Sequence, residues 1–131
     1  MPRRTRASLL WLALLCWAAG ILWLSARTPQ EIPDAAFLLG DKVSHVIAYT
    51  VGGWLAASAL RLSRPPSTAA GAAGAIALAV VLVAGVGMAD EMLQAATPGR
   101  TGADIYDWLA DLVGALTGAL LSTVGRRRPN R

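Results

Sequence analysis

Four apolar runs, each about as long as a bilayer is thick, constrain this chain more than any other feature. They cover residues 7–26, 43–60, 69–89 and 108–125. At about 1.5 Å of rise per residue, helices of about 18–21 residues span roughly 27–31 Å, the depth of the hydrocarbon layer. The first and third runs carry no charge, the second holds His45 and the fourth holds Asp111. Glycines recur in all four, as lipid-embedded helices tolerate and exploit. The predicted architecture is all-α: a polytopic membrane protein, a bundle of four transmembrane helices, forming a single domain over residues 1–131. Composition agrees. Hydrophobic residues make up 55% of the 131 and charged residues 15%, against about 25% charged in soluble domains.

The linkers are too short for a soluble domain. Residues 27–42 contain Pro29 and Pro33, residues 61–68 contain Pro65-Pro66, and residues 90–107 contain the turn signal Pro98-Gly99. Leu24-Ser25-Ala26 has the look of a cleavage site. The apolar run before it nevertheless exceeds the ~7–15 residues of a signal peptide, so the first helix is expected to be retained.

The net charge of +4 could suggest nucleic acid, but its distribution excludes that partner. Nine of the twelve basic residues (Arg3, Arg4, Arg6, Arg61, Arg64, Arg126, Arg127, Arg128 and Arg131) fall at the two ends and in one loop. All eight acids lie in or beside the other two linkers. The positive-inside rule then places both termini in the cytoplasm and the acidic linkers outside. Arg-rich, Ala- and Gly-rich usage fits a GC-rich bacterial genome, so the expected location is the bacterial inner membrane, with membrane lipids as partners. Cys16, the single cysteine, can form no internal disulfide and reads as a small buried hydrophobe. The lone histidine and the lack of HExxH spacing give no ground for expecting a metal or cofactor.

Two polar groupings carry the chemistry. In the first, Asp41, His45 and Tyr49 stand at i, i+4, i+8 and share a helix face, with Lys42 beside them. Asp41 also suits a helix start, as a cap or as first-turn negative charge. The second comprises Asp90, Glu91, Gln94 and Arg100, then Asp104, Asp107 and Asp111. Asp104, Asp107, Asp111, Gly114 and Gly118 fall on one helical stripe, and its GxxxG pair should face another helix. Ionisable groups in lipid cost roughly 2.5–3.5 kcal/mol each unless paired. Asp41, His45, Glu91, Arg100 and Asp107 are therefore expected to converge on one outward-facing pocket, with Arg100 on an acid, Tyr49 and Gln94 at the floor, and Asp111 below between helices. Asp34 is expected in a solvated linker, and Trp108 as an interfacial anchor.

The runs Asp41-Lys42-x-x-His45-x-x-x-Tyr49 and Asp90-Glu91-x-x-Gln94-x-x-x-Pro98-Gly99-Arg100, followed by Asp107, Asp111, Gly114 and Gly118, resemble the VanZ-like membrane proteins, named for a teicoplanin-resistance accessory protein. Position 111 departs from the family, which often has Asn there. The resemblance implies an envelope protein associated with glycopeptide tolerance, binding an envelope precursor, a lipid-linked group or an antibiotic at its outer polar cluster. The residues leave two other readings open. One is an intramembrane hydrolase or transferase on a lipid-phosphate-like substrate, with His45 as base or ligand and Arg100 as anion clamp. The other is a structural subunit that assembles with other membrane proteins. The charge asymmetry makes a direct prediction: alkaline phosphatase fused after Gly99 is active and fused after Arg64 inactive, and the reverse pattern would invert the topology.

Overall fold

The computed structural model describes residues 1–32 and 38–124. Pro33, Asp34, Gly125 and the arginines Arg126, Arg127, Arg128 and Arg131 lie outside the described residues. Four long helices account for most of the rest: α1 (Arg3–Ser25), α2 (Asp41–Ser63), α3 (Ala69–Ala96) and α4 (Ile105–Leu121), with one 3-10 turn at Pro29–Glu31. No strand occurs among the described residues. Helices α1, α2 and α3 are long and apolar enough to cross a membrane. Helix α4, at 17 residues, measures about 25 Å, close to the shortest spanning length.

Local chemistry sets the helix ends. Gly40 adopts φ 77°, a left-handed conformation open to glycine, and turns the chain into α2. Gly40 itself occupies the cap position and Asp41 makes no capping hydrogen bond. Asp41 acts instead as a first-turn acid near the positive end of the helix dipole. Thr68 caps α3 by accepting from Gly71 N–H at 3.0 Å. That helix continues well past Asp90, where the sequence pattern had it ending, because the residues from Glu91 to Ala96 are good helix formers. Pro98 and Gly99 (φ 76°) then turn the chain.

The bundle runs up and down. At one end Arg3 donates to the carbonyls of Leu62 (2.7 Å) and Ser63 (3.3 Å), and Arg61 donates to that of Ser122 (3.0 Å). The start of α1 and the ends of α2 and α4 therefore meet. At the opposite end Ser25 meets Asp90, Thr97 Oγ1 donates to Ser25 O, and Lys42 meets Asp104 and Asp107. Five of the seven described arginines (Arg3, Arg4, Arg6, Arg61 and Arg64) thus gather at one end and the described acids at the other, where Arg27 and Arg100 join them.

The interior is made of small residues. Ala56, Ala57, Ala59, Ala79, Ala115 and Ala119 are fully buried, while Leu12, Leu15, Ile47, Val81, Val113 and Leu116 face outward. Water would drive the larger side chains inward. Lipid does not, and then the closest backbone packing wins. Cys16 is exposed rather than buried for the same reason: an apolar side chain gains nothing by leaving lipid. Helices α2 and α4 pack most extensively. A Cβ on Gly114 would lie 2.5 Å from Val46 O, and those on Gly118 and Gly53 would collide with Thr50 O and Ala115 O. Trp108 donates its indole N–H to Ala84 O at 3.2 Å, so it ties α4 to α3 as well as sitting near the helix start.

Gly118→Ala should therefore destabilise the bundle by about 1–3 kcal/mol, because backbone and not a flexible side chain blocks the methyl. Gly85→Ala, where a Cβ meets nothing within 4 Å, should be neutral or stabilising by about 0.5–1 kcal/mol through helix propensity. Reversible unfolding in detergent reads both, and equal losses would contradict the close α2–α4 approach.

Candidate functional site

At the acidic end, α2, α3 and α4 deliver side chains to two adjoining polar layers. The outer layer is built on Lys42, whose ammonium lies 2.7 Å from Asp107 Oδ1 and 3.3 Å from Asp104 Oδ2. Asp104 also caps α4 by accepting from Tyr106 N–H at 2.8 Å. That backbone bond, with Lys42 beside it, holds the Asp104 carboxyl below the usual carboxylate range. Asp41 remains largely exposed, 3.9 Å from His45 Nε2.

The inner layer centres on Asp90 and Asp111. Asp111 is fully buried and its Oδ1 lies 2.8 Å from His45 Nδ1. Asp90 accepts from Tyr49 Oη (2.8 Å), Gln94 Nε2 (2.9 Å) and the Ser25 hydroxyl. Asp90 thus has three neutral donors, enough to satisfy most of a buried carboxylate's acceptor capacity. Tyr49 is braced by Trp17, edge-on at 5.3 Å between ring centroids, and Trp17 donates to Ala48 O at 3.0 Å. His45 joins the two layers. Ligand atoms of Asp41, His45 and Asp107 lie within 4.8 Å of one another, as do those of His45, Asp90 and Asp111.

A cavity of about 160 Å³ opens beside the inner layer. Ile21, Leu24, Ile32 and Ala48 form its apolar wall, and Ser25, Asp41, Ser44, His45, Tyr49, Asp90, Gln94 and Arg100 its polar one. Tyr49 and Gln94 line the cavity as the spacing predicted. Glu91 does not. Its backbone carbonyl accepts from Ala103 N–H (3.2 Å) and its Oε2 from Asp104 N–H (2.8 Å). It therefore pins the loop before α4, where Ala103 carries φ 58°. Arg100 lines the cavity but pairs with no acid among the described residues; Lys42 is the cation that meets Asp104 and Asp107, and Arg27 meets Glu31. The reason is position: Lys42 sits one residue into α2, facing the start of α4, whereas Arg100 lies in the loop on the α1–α3 side.

Ser25 and Thr97 were not foreseen. Ser25 reads as an apolar-run terminus, yet it is 3% exposed and holds Asp90, while Thr97 holds Ser25 O from α3. The available signal was depth: a hydroxyl at the acidic end of α1, level with the acids of the next hairpin.

The family described as VanZ/LLP1 matches residues 10–126. No curated protein and no solved structure matches the chain significantly.

Because Asp107 is nearly buried and Lys42 is its cation, Lys42→Gln should lower the melting temperature, though by less than breaking a fully buried pair because Lys42 is half exposed. Arg100→Gln should leave the melting temperature unchanged. The reverse order would return the pairing role to Arg100.

Proposed function

The chain belongs to the VanZ/LLP1 family, and from that premise we propose a four-span inner-membrane protein that binds an anionic, lipid-linked envelope group in a pocket on the outer face. Both termini lie in the cytoplasm, and α4 is the fourth span, its two acids tolerated because they face α2 rather than lipid. The arginine distribution supports that orientation.

One observation carries the binding reading: Arg100 lines the cavity with no acid paired to it among the described residues, although seven described acids belong to the same end of the bundle. A guanidinium that pairs with no described acid is suited to a phosphate or carboxylate, which it grips through two parallel N–H donors. The apolar wall of Ile21, Leu24 and Ile32 suits an acyl or prenyl chain next to that head group. Size narrows the class. The cavity holds roughly five waters' worth of space, well under the roughly 300–1,000 Å³ of pockets that enclose drug-sized molecules. A head group fits, and a whole glycopeptide does not.

A second reading rests on His45. Its bond to Asp111 fixes the ring, and the other ring nitrogen is directed toward Asp41 and the cavity. This is the arrangement a general base needs for hydrolysis or transfer at a lipid phosphate.

Native mass spectrometry of the protein released from nanodiscs containing a polyprenyl phosphate and phosphatidylcholine tests the binding reading. The polyprenyl phosphate should remain bound to the wild type, and Arg100→Gln should lose it at least about tenfold, the cost of one charge-assisted contact. Equal retention by both proteins would refute the assignment. Turnover of that lipid, abolished by His45→Gln with binding intact, would favour the catalytic reading.

A further inference from the structure

Beyond the lipid-binding reading, and without resting on it, we propose that His45, Asp90 and Asp111 form a binding site for one divalent first-row transition cation, Mn²⁺ or Zn²⁺. The three residues come from α2, α3 and α4, and their ligand atoms already lie within 4.8 Å of one another. His45 Nδ1 and Asp111 Oδ1 are 2.8 Å apart. Neighbouring ligands bound at about 2.1 Å on an octahedral ion stand about 3 Å apart, so the spacing needs little adjustment.

A second observation points to the missing occupant. Asp111 Oδ2 is buried with no hydrogen-bond partner, on a residue with no exposed surface. That oxygen faces Gly87, where an added Cβ would stand 2.6 Å from it. Gly87 and Asp90 are i, i+3 on α3 and share a face, so the orphaned oxygen is directed at the side of α3 that carries Asp90. An orphaned buried carboxylate oxygen costs about 1–3 kcal/mol or more, and a metal bond removes that cost.

Charge balance favours a divalent ion. Two carboxylates and a neutral imidazole neutralise a 2+ charge completely, which suits a site within a lipid-embedded bundle. The proton that His45 shares with Asp111 leaves to solvent as the ion enters, because both groups ligate in deprotonated form. The imidazole nitrogen favours Mn²⁺ or Zn²⁺ over Mg²⁺ and Ca²⁺, which take oxygen ligands. Asp90 is already oriented by Ser25, Tyr49 and Gln94, the kind of outer support that metal-binding carboxylates have. His45 and Asp90 both reach the cavity, which provides an entry path. The neighbouring trio of Asp41, His45 and Asp107 is a poorer candidate, since Lys42 already stands 2.7 Å from Asp107 and Asp41 is exposed.

The chain has one histidine, which permits a test without any mutation. Untagged protein, stripped with EDTA and titrated with Mn²⁺ in detergent free of phospholipid, should take up one ion per chain. Pulsed EPR should show ¹⁴N coupling from an imidazole, which can come only from His45. Asp111→Asn should weaken uptake by at least about tenfold, and Asp104→Asn should not change it. Monodisperse wild type that takes up no Mn²⁺ or Zn²⁺, bound Mn²⁺ without nitrogen coupling, or a folded Asp111→Asn that binds like wild type would each overturn the site. If Asp111→Asn does not fold, the nitrogen coupling in the wild type decides. Lipid-phosphate binding measured in EDTA fails or succeeds independently of these results.

Discussion

Everything at the acidic end depends on how closely α2 approaches α4. Gly53 on one helix and Gly114 and Gly118 on the other leave backbone facing backbone, where any side chain would collide. That approach sets the distance between the two polar stripes. Only with the helices this close can His45 stand 2.8 Å from Asp111 and Lys42 stand 2.7 Å from Asp107. In lipid no hydrophobic force draws Leu or Val inward, so the contact rests on dispersion between small residues and on the hydrogen bonds it permits.

The polar groups are disposed by what each could find within reach. Asp107 found Lys42, Asp90 found three neutral donors, and Glu91 found the backbone of the loop that leads into α4. These contacts satisfy the layer unevenly. Asp111 keeps one oxygen without a donor, Glu91 Oε1 is likewise unpartnered, and Arg100 borders the cavity with no described acid paired to it. A bundle held only by polar cross-links would gain by satisfying all of these, since each orphan destabilises the fold. Among the described residues, three of the four unpartnered buried atoms, Asp111 Oδ2, Glu91 Oε1 and Arg27 Nε, lie at that end and Arg61 Nε at the other; the excess at the acidic end, next to an opening, supports the proposed site over a purely structural network.

The same unevenness links the functional readings. An anion at Arg100 and a cation among His45, Asp90 and Asp111 would both border the same cavity, which Arg100, His45 and Asp90 line. On the proposed reading, the apolar wall of Ile21, Leu24, Ile32 and Ala48 would direct the site toward molecules that carry a chain in the membrane and a charged group at its surface.

The four apolar runs, their one-sided arginines and the stripe from Asp104 to Gly118 were legible from residue order alone, because hydropathy length and helical periodicity are local properties. So was the family, through the Asp41–Tyr49 and Asp90–Arg100 spacings. The extension of α3 to Ala96 was missed because acidic residues in a helical run look like a linker until a buried partner is seen. Which cation meets which acid was decided only in three dimensions. Lys42 and Arg100 are equivalent as charges along the chain, and helix packing placed one against Asp107 and the other beside the cavity. Ser25 and Thr97 entered the site for the same reason, since a hydroxyl becomes a partner only when another helix brings a carboxylate or carbonyl to its depth. Residue order determined what must avoid lipid, and the α2–α4 approach determined what each buried group would touch.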